Sequence, residues 1–121
     1  RIHNVPILAS ILDIDLFNSG LGKAKKLVLK ALNDPNITVR VEATALLGKL
    51  QETKWPKPFL IKKLTDPSVD VRKSAALSLM QLKISESIND LQRISKIEKD
   101  KDVLKVFELA ILQLTESRSI N

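Results

Sequence analysis

The chain has 121 residues, no cysteine and a single histidine, His3. A chain of that length forms one domain and hides about two thirds of its unfolded surface; without cysteine there is no disulfide or thiolate nucleophile, and one histidine at a frayable end provides neither a histidine-built metal site nor a usable Ser-His-Asp triad. Basic residues outnumber acidic ones 20 to 14, a formal charge of +6, which suits nucleic acid, an anionic membrane surface or an acidic protein as well as a plain solvated exterior.

A leading helix is predicted over residues 4–18. Asn4 is a good N-cap, and Pro6 falls in the first turn, where a missing N–H costs little. Its apolar residues Ile7, Leu8, Ile11, Leu12, Ile14, Leu16 and Phe17 occupy more than one face, and Ser19-Gly20-Leu21-Gly22 ends it. The next helix spans about 23–33. Ala24, Leu27, Val28, Ala31 and Leu32 follow the i, i+3, i+4, i+7, i+8 spacing and share one face. Asp34-Pro35 breaks the chain, because proline disfavours helical geometry in the residue before it. A helix over about 37–51 follows, with Val39, Ala43, Leu46, Leu47 and Leu50 towards the core.

Trp55-Pro56-Lys57-Pro58 leads into a short helix over about 58–65, and the lone Trp55 is expected to pack over the end of the core. After Asp66-Pro67 comes a helix with Val71, Ala75, Leu79 and Leu82 on its core face and Ser78 interrupting it. Ser87 with Asp90 resembles a capping box and opens a helix over about 88–98. Its Leu91, Ile94 and Ile97 slip by one against the earlier units. The last helix turns Val103, Phe107, Ala110, Ile111 and Leu114 inward. No period-two pattern appears, so the chain reads as all-α. No apolar run approaches the roughly 18 residues of a membrane span.

One stretch occurs twice. Asp34-Pro35-Asn36-Ile37-Thr38-Val39-Arg40 returns 32 residues on as Asp66-Pro67-Ser68-Val69-Asp70-Val71-Arg72. At one register Asn36, Ser68 and Asp100 are all N-cap residue types. A fixed period of this size means stacked supersecondary units. The units fall at 23–51, 57–83 and 87–116, after the leading helix 4–18.

The pattern Leu-x-Asp-Pro-x-x-x-Val-Arg-x-x-Ala-x-x-x-Leu-x-x-Leu, met at Leu64 to Leu82 and again at Leu32 to Leu50, resembles the HEAT repeat. The resemblance implies an α-solenoid of about three antiparallel helix pairs plus a leading helix, stacked as a right-handed superhelix. It places the first helix of each pair on the convex side and the second on the concave side. It also implies a ladder between neighbouring repeats through Asp34, Arg40, Asp66 and Arg72. The third unit departs from the pattern: Glu98 replaces the acid, Lys99 the proline and Leu104 the arginine. The ladder is expected to end there.

On a helical wheel the positions opposite the core are Val41, Ala45 and Gly48, then Lys73, Leu77 and Met80, then Lys105, Leu109 and Leu112. A solvent-facing stripe should be polar, and this one is largely apolar. It is expected to be a groove for a partner helix or peptide, with Lys73 and Lys105 meeting acidic residues, unless neighbouring repeats cover it. Lys23, Lys26, Lys30 and Lys62 form a basic ridge whose functional reading is phosphate contact with nucleic acid. Few aromatics (3%) are present to stack bases, which weighs against that reading. The expected function is therefore a non-enzymatic protein-interaction scaffold. Neither catalytic residues nor a metal or cofactor site is expected, and the location is intracellular, in cytoplasm or nucleus. The chain starts at Arg1 without Met. A longer parent protein is expected, with the apolar ends either continued or shared in self-association.

Overall fold

Asn36, Pro56 and Asp100 mark where three of the helices start. In the computed structural model, which describes residues 21–120, the helices are α1 (Leu21–Leu32), α2 (Ile37–Leu47), α3 (Pro56–Lys63), α4 (Val69–Gln81), α5 (Ile88–Ser95) and α6 (Lys101–Ile120), with a 3₁₀ turn at Ser85–Ser87. No strand occurs among the described residues. The helix expected over 4–18 lies outside them. Short turns join α1 to α2 and α3 to α4, which makes each pair antiparallel neighbours. Between units the most extensive packing runs from α2 to α4 and from α4 to α6. These three form an inner layer, and α1, α3 and α5 form an outer one: an α-solenoid of three helix pairs.

The core lies between the layers. Ala24, Val28 and Leu32 of α1 meet Ala43 and Leu47 of α2. Leu60 and Leu64, Ala75 and Leu79, Leu91 and Ile94, and Val103, Phe107, Ala110 and Leu114 continue the same cluster to the far end. Leu27, expected in the core, is 37% exposed. Ser78 does not interrupt the core face. It is buried, and its hydroxyl donates to the Thr44 carbonyl of α2 at 2.9 Å.

Several ends differ from expectation, each for a local reason. α2 stops at Leu47 rather than 51: the Gly48, Lys49 and Leu50 amides donate three residues back, to the Ala45, Leu46 and Leu47 carbonyls, so the α-helical bonding gives way to tight turns. α3 starts at Pro56, a residue suited to the first helical position. α5 stops at Ser95 rather than 98. The Ile97 and Glu98 amides donate back to the Ile94 carbonyl, which frees the Glu98 side chain to face α4. No capping box forms at Ser87. Its hydroxyl donates to the Ile84 carbonyl at 2.7 Å, and Asp90 pairs with Arg93 instead.

Of the three cap-type residues, two cap. Asn36 accepts from the Val39 amide at 3.2 Å, and Asp100 accepts from the Asp102 and Val103 amides at 2.9 and 3.0 Å. The Val103 amide holds the Asp100 carboxyl below its usual value of 3.8, helped by the Asp102 amide and the nearby Lys73 and Arg72 charges. Ser68 makes no side-chain cap bond. Asp66 takes over at that turn, accepting from the Ser68 amide at 2.9 Å.

α4 closes with the chain in the left-handed region at Lys83 (φ 57°). The Lys83 amide donates to Met80 and the Ile84 amide to Leu79. This is the double bond pattern of a Schellman ending, with lysine where glycine is usual.

Candidate functional site: the inner face and its joints

Two arginines tie the units together. Arg40 donates from Nε and Nη2 to both carboxylate oxygens of Asp66, each at 3.2 Å, and from Nη1 to the Asp34 carbonyl at 2.9 Å. Arg72 repeats this one unit on, donating to both oxygens of Glu98 at 2.8 and 3.0 Å and to the Asp66 carbonyl at 2.9 Å. The Asp66 and Glu98 side chains are only 3% and 4% exposed. Each fork therefore works in a largely dry site, where a bidentate ion pair holds its geometry best. The ladder runs one rung further than its sequence pattern suggested. Glu98, one methylene longer than aspartate, spans the gap to Arg72 without an Asp-Pro turn. At Leu104 no guanidinium is available for another rung.

Above these rungs the inner surface opens into a groove of about 460 Å³ between α2 and α4. Val41, Ala45, Ser74 and Ser78 form its floor; Ile37, Leu77, Lys49, Lys73 and Asp70 stand around it. Ser74 and Ser78 donate across the joint to the Val41 and Thr44 carbonyls at 3.2 and 2.9 Å. Their hydroxyls are thus spent within the fold, and the floor offers mainly apolar surface. The groove exists because these floor residues are small. At the same register in the next joint stand Lys73, Leu77, Val106 and Ala110, and the lysine and leucine are bulkier than Val41 and Ala45.

Of the stripe expected opposite the core, Val41, Ala45, Lys73 and Leu77 line this groove. Lys105 is exposed on α6, with Leu109 at 43% and Leu112 at 54%. Met80 does not belong to the stripe: it is partly buried and packed against the core. Gly48, at the same register, is also buried, facing Ser78 and Gln81. The inner helices pack side by side, so the arc open to solvent is narrower than the wheel's outer half. Ile37, Thr38, Lys49, Asp70 and Gln81 line the groove unforeseen. The available signal was the small pair Ser74 and Ser78, spaced i, i+4 along one face of α4.

On the outer layer Lys23, Lys26 and Lys30 are exposed at i, i+3 and i+7 of α1, and Lys62 is exposed on α3. Lys25 points the other way, its Nζ 5.0 Å from the centre of the Trp55 ring. Trp55 packs against the core cluster and meets Phe59 edge-on at 6.4 Å. No helix among the described residues is long and apolar enough to cross a membrane.

The family model described as HEAT repeats matches residues 25–111. No curated protein and no solved structure matches the chain.

Proposed function

Because the chain belongs to the HEAT-repeat family, whose members generally mediate protein–protein interaction, we propose that its inner face docks a helical or peptide segment of another protein. The observation that carries this reading is the groove between α2 and α4, open to solvent and floored by Val41, Ala45 and two serines whose hydroxyls are already engaged. Such a floor gains by burying an apolar side chain and loses no hydrogen bond in doing so. Exposed Leu77 and Leu109 extend the apolar area along the stack. The scaffold catalyses nothing itself and works inside the cell, as one domain of three helix pairs at 23–51, 57–83 and 87–116.

The test compares wild-type protein with the double variant Leu77→Glu/Leu109→Glu, both proteins verified as helical by circular dichroism. Partner binding is expected to fall at least about tenfold, equivalent to ~1.4 kcal/mol. Intact binding by the folded variant refutes this face.

A second reading rests on the exposed row Lys23, Lys26 and Lys30, which would contact nucleic-acid phosphates. Phosphate contact predicts affinity that falls steeply with salt, whereas docking into an apolar groove changes little. Triple replacement of those lysines by glutamine abolishes the first kind of binding and spares the second.

A further inference from the structure

The 32-residue register lays the inner face out in bands that cross the helices. On α4 and α6, Asp70 and Asp102 form one band, Lys73 and Lys105 the next, and Leu77 and Leu109 a third. Bands are three or four residues apart along a helix, about 5–6 Å. Members of one band are a helix spacing apart, about 8–10 Å. A ligand lying along one helix would meet acid, cation and leucine in turn. A ligand crossing the helices meets lysine after lysine on one edge and leucine after leucine on the other.

Both bands are open to a partner. Among the described residues neither Lys73 nor Lys105 forms an ion pair. Leu77 and Leu109 are 37% and 43% exposed. On α2 the same two bands carry Val41 and Ala45, so the apolar edge runs on into the groove floor.

Resting on the docking reading above, we infer that the partner segment is an extended chain, acidic and apolar at a period of three, lying across α2, α4 and α6. A polyproline II strand has three residues per turn and rises about 3.1 Å per residue, so like-facing residues recur every ~9 Å. That matches the step from helix to helix. Over α4 and α6, each turn sets one carboxylate on Lys73 or Lys105 and one apolar side chain on Leu77 or Leu109, with the third residue facing solvent; over α2 both edges meet the apolar Val41 and Ala45. A β-strand presents like faces every second residue, roughly 6.6 Å, and drifts out of step. An α-helix is about 10–12 Å across and straddles bands only half that distance apart.

The experiment is fluorescence anisotropy of labelled synthetic peptides against the 121-residue chain. The probes are repeated Glu-Leu-Pro triplets, repeated Lys-Leu-Pro triplets, and an α-helical peptide carrying Glu and Leu at heptad spacing. Wild type is expected to bind the acidic triplets at least about tenfold more tightly than the basic ones. Lys73→Glu/Lys105→Glu is expected to reverse that order. If this variant loses helicity, Lys73→Gln/Lys105→Gln replaces it, and the preference for acid should vanish. Equal binding of both triplet peptides, or a preference unchanged by the substitutions, overturns the inference. Tight binding of the helical peptide alone, lost with Leu77→Glu, overturns the extended form and leaves the docking face standing. Failure of all three probes overturns both.

Discussion

At the scale of single residues, two backbone positions depart from the residue that ordinary preference would choose. Gly48 has an unexceptional backbone (φ −69°), so its conformation does not require glycine. Its surroundings do. A Cβ there would lie 2.6 Å from Ser78 Oγ, 2.7 Å from Gln81 Oε1 and 2.8 Å from Ser78 Cβ. Alanine within a helix gains up to about 1 kcal/mol over glycine; Gly48→Ala should instead lose about 1–3 kcal/mol by overpacking. Urea unfolding measures the sign, and adding Ser78→Gly should recover part of the loss. Lys83 is the converse case. It holds a left-handed φ that costs a side-chain-bearing residue about 1 kcal/mol or more, and its exposed side chain gives little back. Lys83→Gly should raise stability by about 0.5–1 kcal/mol, seen as a higher urea midpoint with an unchanged slope.

At the scale of elements, each arginine couples one unit to the next. Arg72→Ala leaves the Glu98 carboxylate, 4% exposed, without its fork. It should cost about 2–4 kcal/mol, and lysine should not restore it, having no fork to offer. Since units of a stack interact chiefly with their neighbours, the loss should be local. Hydrogen exchange should speed up in α5 and α6 while α1 and α2 keep their protection. The helices themselves were readable in the sequence because their apolar spacing and Asp-Pro turns are local signals. Their ends were not. α2 gives way to three-residue turn bonds from Gly48, which lies close against α4, and just past the end of α5 Glu98 is engaged by Arg72, a partner 26 positions away.

At the scale of the whole molecule, the stack was readable from its 32-residue period, and the groove only in part. A single helical wheel finds Val41, Ala45, Lys73 and Leu77, because each points away from its own helix's core side. It cannot find the hollow between α2 and α4, which depends on small residues meeting across a joint, nor the burial of Met80. The two joints also differ in what holds them. Both have an arginine rung, but only the first adds the Ser74 and Ser78 hydroxyl bonds and the close seat at Gly48. The second has Val106 and Ala110 at the serine positions, which carry no hydroxyl. The stack should therefore resist sliding unequally: a load along the joints has two more hydrogen bonds to break between α2 and α4 than between α4 and α6.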